Sequence, residues 1–517
     1  MQKIRILWTD DEIEVLKPHI IFLNEKGYEV DTCSNGLDTL DLVENNNYDL
    51  IFLDENMPGL SGIDTLKGIK ELKPEIPVIM ITKSEEEDIM EAAIGSKIAD
   101  YLIKPVKPTQ ILLTIKKNIE SDQLVTATTT TDYQSEFGKI RALIDQAQSH
   151  DDWIDIYKKV TYWDLQLDVA DDPNLREIQK MLEQEANRAF VKFISRNYLS
   201  WTEKNAGDSP VMSHSLFTKR IIPHLRNNEK VFFIVIDNLR YDQWKIIFHE
   251  FGKLVRVIDE SIYYSILPTA TQYSRNAIFS GLMPSEIAGK YSNLWVDDDA
   301  DEGKNNHEKE LLDEQLKRNS LKCKWSYNKI NNNSSGKRIN DNLRQLLGND
   351  LTVLVYNFID LLSHARTDTD VLRDIARDES AYRSLTLSWF NHSPLFGLIR
   401  LLSGQKVKII ITTDHGTVRV SNPVRVVGDK RTSSNLRYKM GRNLDYNPRE
   451  LFEIKKPEDA KLPASNISSR YIFAQNYDFF VYPNNYNHFV NFYRDTFQHG
   501  GISMQEILIP IVTLEPV

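Results

Sequence analysis

Short apolar runs that each end in a polar or acidic residue recur along this chain. The first is Ile4-Arg5-Ile6-Leu7-Trp8, which leads into Thr9-Asp10-Asp11-Glu12. Glu29-Val30-Asp31-Thr32-Cys33 follows, then Leu50-Ile51-Phe52-Leu53 delivers Asp54, Pro77-Val78-Ile79-Met80-Ile81 delivers Thr82, and Tyr101-Leu102-Ile103 delivers Lys104-Pro105. Runs of this length and β-branched content predict strands, and helical-period segments lie between them, through Leu23 and over about Gly36 to Asn45. The alternation predicts a doubly wound, flavodoxin-like sheet, and such sheets collect ligands at the carboxyl ends of their strands. Asp10, Asp11, Asp54, Thr82 and Lys104 should therefore converge on one crevice. Three carboxylates, a hydroxyl and a lysine suit a Mg²⁺ site where one carboxylate attacks a phosphoryl donor.

The pattern then becomes helical. Thr126 to Thr131 reads as a polar break with Asp132 as a candidate N-cap, after which Phe137, Ile140, Leu143 and Ile144 repeat at helical spacing to near His150. Asp151-Asp152 can cap a second helix carrying Trp153, Ile156, Tyr157, Val160 and Trp163, and a third runs from Pro173 to about Trp201. Three amphipathic helices predict a small bundle, and their aromatic stripe reads as core.

Strand patterns return with Val231-Phe232-Phe233-Ile234-Val235-Ile236, which delivers Asp237. Ser265 to Thr271 reads as a second strand, with Gln272 to Phe279 helical after it, so the Thr271 hydroxyl sits at a helix start that favours anions. A third strand, Leu351 to Ile359, delivers Asp360. If the chain turns helical there, His364 lies on the same face one turn on and the two can share a metal. Lys408-Ile409-Ile410-Ile411-Thr412-Thr413 ends in Asp414-His415-Gly416, and Gln498-His499-Gly500-Gly501 precedes the closing strand Ile507 to Val512. An isolated Asp-His-Gly fits a polar turn as well as a metal site. The partners on other strands favour the metal.

Composition narrows the class. At 517 residues, with 41% apolar and 26% charged positions, the chain is ordinary globular material, expected to divide at 1–122, 123–205 and 206–517. The net charge of -11 argues against indiscriminate binding to nucleic acid or anionic membrane. No apolar run is long enough to span a bilayer and the amino terminus enters a strand pattern directly, so a cytoplasmic protein without membrane insertion is expected. Two cysteines, Cys33 and Cys323, offer neither a disulfide framework nor metal-ligand spacing. Between Arg425 and Arg442 a basic segment containing Lys430, Arg431, Arg437 and Lys439 reads either as a polyanion contact or as a solvated loop. The run Asp297 to Glu302 reads as an acidic surface insertion.

The order Asp10-Asp11, Asp54, Thr82, Lys104 resembles the CheY-like receiver domain of two-component response regulators, over about residues 1 to 120. The resemblance implies a sensor histidine kinase as partner and Asp54 as phosphoacceptor. It also implies Asp10, Asp11, Asp54 and the Asn56 carbonyl as Mg²⁺ ligands, with Thr82, Tyr101 and Lys104 as the switch. A cis bond at Lys104-Pro105 is expected too. Trp8 departs from the small aliphatic that receivers often carry there.

The order Asp237, Thr271, Asp360-x-x-x-His364, Asp414-His415, His499 resembles the alkaline phosphatase superfamily, and the closing His499-Gly-Gly-Ile-Ser-Met-Gln-Glu-Ile-Leu-Ile-Pro510 resembles its PglZ branch. In that family two Zn²⁺ ions flank an alkoxide nucleophile. The resemblance places Asp360, His364 and His499 on one ion, and Asp237, Asp414, His415 and Thr271 on the other. Zinc makes a hydroxyl reactive at neutral pH, and Mn²⁺ would also accept these ligands. Thr271-Gln272-Tyr273-Ser274-Arg275 lacks the sulfatase nucleophile and proline, and a threonine nucleophile points to phosphodiesters. Arg240, Arg275, Asn276 and Lys290, with Arg431, Arg437, Lys439 and Arg442 of the basic segment, are candidate contacts to a nucleotide or oligonucleotide.

The whole arrangement resembles a family of response regulators linked to type IX secretion. A metal-dependent phosphodiesterase, dimeric on phosphorylation, is the leading expectation. The alternative is a non-catalytic binding module acting through a sigma factor or secretion component.

Overall fold

β1 (Arg5–Thr9), β2 (Glu29–Cys33), β3 (Leu50–Asp54), β4 (Val78–Thr82) and β5 (Asp100–Ile103) form a parallel sheet in the order β2-β1-β3-β4-β5. In the computed structural model the described residues are 4–83, 98–170, 172–203, 207–297, 303–376, 378–428, 435–464, 466 and 468–517. Successive side chains of the inner strands enter opposite cores. Leu7, Ile51, Leu53 and Met80 face one way, and Ile6, Trp8, Leu50, Phe52, Ile79 and Ile81 the other. Trp8 is fully buried against Phe52, so the departure at this position adds to the core without touching the acidic pair beside it.

Two compact units divide the chain, Met1–Asp132 and Tyr133–Val517. The three connector helices are Ser121–Gln146, His150–Ala170 and Pro173–Trp201. The first overturns the expected break at Thr126 to Thr131, because helix continues straight through the threonines. Each threonine costs only about 0.5 kcal/mol of helix propensity, and no Gly or Pro stands in the run to stop it. The start of the second helix also differs. Ser149 caps it, donating and accepting reciprocally with Asp152 through Ser149 N to Oδ2 (2.8 Å) and Asp152 N to Oγ (3.2 Å). The bundle closes no separate core. Trp153, Phe190, Tyr198 and Trp201 pack into one continuous core with the strands that follow, Trp201 meeting Tyr264 edge-on at 5.3 Å.

That second unit holds a six-stranded sheet. Its members are β6 (Val231–Ile236), β7 (Val255–Tyr264), β8 (Trp325–Ile330), β9 (Leu351–Tyr356), β10 (Lys408–Thr412) and the closing strand Leu508–Pro516. The order is β7, closing strand, β10, β6, β9, β8, with β10, β6, β9 and β8 mutually parallel and the closing strand antiparallel to its neighbours. Thr412 pairs with Val235 and Ile236 with Tyr356, so three strands end level at one edge. The strand expected over Ser265 to Thr271 is instead an irregular connection beyond β7, containing a cis Leu267-Pro268 bond. Ser265 N still donates to the Ile507 carbonyl at 2.8 Å, but Ile266 N and Leu267 N turn to Ser213 Oγ and the Tyr198 hydroxyl, and proline has no N–H to donate to a ladder.

Candidate functional site

The receiver crevice forms where β1, β3 and β5 end. Asp10, Asp11 and Asp54 present carboxylate oxygens within 4.8 Å of one another. The Lys104 ammonium bridges Asp10 Oδ2 at 2.7 Å and Asp54 Oδ1 at 2.6 Å, and Lys104-Pro105 is cis. Burial raises the Asp54 carboxyl above its ordinary value against the opposing pull of Lys104, with Asp10 and Asp11 adding to the rise. A cluster of negative charge this close calls for a hard cation, and an all-oxygen set fits Mg²⁺. The Asn56 amide N donates to Asp54 Oδ2 at 3.2 Å. Thr82, at the end of β4, is buried, whereas Tyr101 is 37% exposed. Gly62 lets the next helix approach, since a Cβ there would lie 2.4 Å from the Asp54 carbonyl oxygen.

In the second unit the level strand ends bring two further clusters together. Asp237, Asp414 and His415 form one and Asp360, His364 and His499 the other, each with donor atoms within 4.8 Å. Asp360 and His364 do lie on a helix, Phe358–Asp368, one turn apart. The His415 and His499 rings stack at 4.2 Å, joining the clusters. Thr271 begins the helix Thr271–Ser280, and its Oγ1 lies 3.0 Å from His415 Nε2 and 3.5 Å from Asp237 Oδ1.

Backbone carbonyls orient both rings. His415 Nδ1 faces the Gly416 carbonyl at 3.1 Å and His499 Nδ1 the Thr269 carbonyl at 3.2 Å, which places the proton on Nδ1 and leaves each Nε2 as a donor to a metal. Burial lowers the His415 pKa and takes His499 down to about 4, so both are neutral imidazoles near pH 7. Burial opposes ionisation of Asp237, but the Arg275 guanidinium holds its carboxyl below the usual value. Burial and the charge of Asp237 raise Asp414 well above it. Asp414 Oδ2 is buried without a hydrogen bond. An orphaned carboxylate oxygen among neutral imidazoles and a second carboxylate fits a divalent cation, and mixed Asp/His donors fit zinc. Gly416 matters for space, since a Cβ there would lie 2.0 Å from the Gln505 carbonyl oxygen.

Several predicted substrate contacts have other employment. Arg275 is buried, donating to Asp237 Oδ2 at 2.7 Å and to Glu308 Oε1 at 2.5 Å, and so balances the charge of the site acids. Arg240 is buried between Asp242 and Glu379, each at 2.5 Å. Arg437 is fully buried on Glu506 at 2.5 Å, and Lys439 is buried with its ammonium 4.9 Å over the Tyr482 ring. In each case an interior carboxylate or ring claims the cation, as a desolvated charge requires. Lys290 lies over the Tyr291 ring at 5.4 Å, away from the cleft. Arg442 is exposed just past the strand Tyr438–Gly441, and Arg431 lies outside the described residues. Asn276 uses its Nδ2 to hold the Lys304 carbonyl at 3.2 Å.

A cleft of 410 Å³ opens over Thr271, lined by Lys304, Asn305, Asp360, His364, Tyr438 and His499 among others. The sequence reading missed Lys304, Asn305, Glu308 and Asn238. Asn238 carried a signal, for it follows the strand-end Asp237, takes a left-handed φ of 65° and reaches Asp360 Oδ1 at 3.4 Å. The others lie in a charged stretch with no strand-end placement to mark them.

Comparison with known proteins accounts for all three regions. The family described as BREX system PglZ alkaline phosphatase-like domain matches residues 216–514. The PorX response regulator linker domain matches 123–202 and the response regulator receiver domain 6–116. Among curated proteins, the transcriptional regulatory protein ZraR of Klebsiella oxytoca is 32% identical over 139 residues, 27% of this chain and 31% of that protein. ResD of Bacillus subtilis is 34% identical over 112 residues, 22% of this chain and 46% of that protein. The chain thus spans less than half the length of either. Of solved structures, a receiver domain from Clostridium thermocellum is 33% identical, with TM-score 0.22, covering 23% of this chain and 98% of that one. A CheY-like receiver from Methanospirillum hungatei is 27% identical, with TM-score 0.23, covering 23% and 96%. Among the described residues no helix is long and apolar enough to cross a membrane.

Proposed function

Because this chain belongs to the PglZ alkaline phosphatase-like family and has the architecture of PorX-type response regulators, we propose that it is a phosphorylation-controlled phosphodiesterase with Thr271 as nucleophile. The observation that carries this reading is the Thr271 hydroxyl at a helix start, 3.0 Å from His415 Nε2, in a cleft that also holds the second of two clusters able to take a metal ion. Asp237, Asp414 and His415, with Thr271, would hold one Zn²⁺, and Asp360, His364 and His499 the other. When bound, such ions lower the pKa of a hydroxyl and stabilise charge on attacking and leaving oxygens.

The chain's own groups do the rest. The Gly416 and Thr269 carbonyls keep the imidazole protons on Nδ1, so each Nε2 presents its lone pair to the site, that of His415 beside the Thr271 hydroxyl. The first amides of the Thr271–Ser280 helix favour an anion in front of the nucleophile. Arg275, pinned by Glu308, offsets the negative charge of Asp237 and Asp414 and keeps the paired acids from expelling that anion.

Phosphorylation of Asp54 by a sensor histidine kinase, with Mg²⁺ held by Asp10, Asp11 and Asp54, is the input, and a receiver-mediated homodimer the switched state. The output proposed is in type IX secretion, as the resemblance to that family of response regulators implies, exerted in the cytoplasm through a nucleotide or oligonucleotide substrate or through a sigma factor or secretion component. The test is hydrolysis of bis(p-nitrophenyl) phosphate beside p-nitrophenyl phosphate by zinc-loaded protein. The diester should be the better substrate, and Thr271→Ala should lose at least about a thousandfold in rate with zinc content unchanged. Equal rates for the two proteins would remove Thr271 from the chemistry.

A further inference from the structure

Building on the two-metal reading of the site, we propose that the buried pair Arg437–Glu506 positions His499 for the ion it would share with Asp360 and His364. Both side chains are fully buried, and neither belongs to a ligand cluster. Glu506 Oε1 accepts from the Gly501 amide at 2.8 Å and from Arg437 Nε at 3.1 Å. Its Oε2 accepts from Arg437 Nη2 at 2.5 Å and from Ser503 Oγ at 2.6 Å. Arg437 Nη1 donates to the Gln475 carbonyl at 3.3 Å and to the Asp478 carbonyl. A planar guanidinium fork on an acceptor-only carboxylate is the geometry that a desolvated ion pair requires, with its remaining hydrogen bonds made.

What the pair holds is the turn that carries His499. Gly501 has no room for a side chain, since a Cβ there would lie 2.5 Å from the Ala474 carbonyl oxygen and 2.9 Å from Arg437 Nε. Thr269 closes the other side of the turn. Its Oγ1 accepts from the Gly500 amide at 3.1 Å and donates to the Gly501 carbonyl at 2.9 Å, and its own carbonyl faces His499 Nδ1 at 3.2 Å. The imidazole thus leaves a turn gripped between Thr269 and the ion pair. The His415 turn is tied to the same residue differently, through the Gly416 amide on the Glu506 backbone carbonyl at 3.3 Å. That bond needs no side chain at 506. Loss of the pair therefore acts on the Asp360, His364 and His499 cluster and spares the Asp237, Asp414 and His415 cluster. Groups that orient a ligand from behind in this way govern how tightly its metal is held.

The experiment measures metal affinity apart from turnover. Zinc is titrated into full-length apoprotein against a chromophoric chelator, and His364→Ala identifies the uptake step that belongs to the Asp360 cluster. Glu506→Gln keeps the size of the side chain but sets an amide N–H₂ against donors. It should weaken that step by about 10- to 100-fold and leave the other within about threefold. Gly501→Ala, which displaces the turn with both charges in place, should weaken the same step at least about tenfold, and it decides the matter alone if Glu506→Gln does not fold. Arg383→Met breaks a buried ion pair remote from both turns and should leave each step within about threefold. Unchanged zinc affinity in Glu506→Gln and Gly501→Ala, equal weakening of both steps, or the same weakening in Arg383→Met would each overturn the assignment. Uptake of fewer than two ions by wild type would overturn it together with the two-metal reading. Uptake of two ions without diester turnover would count against the phosphodiesterase reading alone, and the titration would still decide the role of Arg437 and Glu506.

Discussion

At the scale of single residues, burial decides what a charged or titratable side chain is for. His214 shows this away from the site. Burial pushes its pKa down to about 4, with Lys219 adding to the fall and Glu286 opposing it, and its Nδ1 has no hydrogen bond. The folded state keeps this imidazole neutral where the unfolded chain, near 6.5, takes up a proton. Its stability contribution is therefore intact above about pH 6.5 and is lost as pH falls toward 4, by about 3 kcal/mol at the lower end. Urea denaturation of wild type and His214→Leu at pH 7 and pH 4.5 should show a steeper loss for wild type, and parallel losses would refute it. The same principle explains the arginines. Their spacing near strand ends was visible in the sequence, but their carboxylate partners, Glu308 for Arg275, Glu379 for Arg240 and Glu506 for Arg437, are 33, 139 and 69 residues away. Nothing local announces such pairs.

Among elements, what was legible followed hydrophobic period. The receiver strands, the third connector helix and β6 and β10 lie where alternating or continuous apolar runs put them, because a buried strand or helix face leaves a repeating trace. The threonine run and Ser265 to Thr271 were misread because local propensity favours a break in the first and a strand in the second, while helix continues through the first, and Pro268 and the helix starting at Thr271 interrupt the second. The ties between elements were not legible at all. Arg383, on the helix Glu379–His392, donates to Asp164 at 2.7 Å, to Asp242 at 3.0 Å and to Asp168, joining the second connector helix to the helix Tyr241–Phe251 after β6. Arg383→Met should cost about 3 kcal/mol, because it leaves the buried Asp242 facing two partly exposed acids, Asp164 and Asp168, without the guanidinium between them. The midpoint of chemical denaturation of the full chain measures this, and adding Asp164→Asn should recover part of the loss. A midpoint unmoved by Arg383→Met would show that the acids relax into solvent.

For the whole molecule, the chain passes from the receiver unit to the effector unit within one helix, Ser121–Gln146, which spans the division at Asp132. A continuous helix is a poor flexible tether and a good mechanical element, because helical hydrogen bonds fix each residue to the one four before it. A receiver that changes state on phosphorylation can bias an effector through this element if the two states differ in what the element does. Two variants separate the steps. Beryllofluoride with Mg²⁺, an acyl-phosphate mimic, should shift wild type from monomer to dimer in sedimentation and change its diester hydrolysis, and Asp54→Asn should abolish both effects. Thr129→Pro removes one N–H from the helix and clashes with the preceding turn, costing about 3 kcal/mol locally. It should leave zinc content, hydrolysis without the mimic, and the shift to dimer unchanged, while uncoupling hydrolysis from the mimic. Retained coupling in Thr129→Pro would mean that the signal reaches the effector through the dimer itself, independent of this helix.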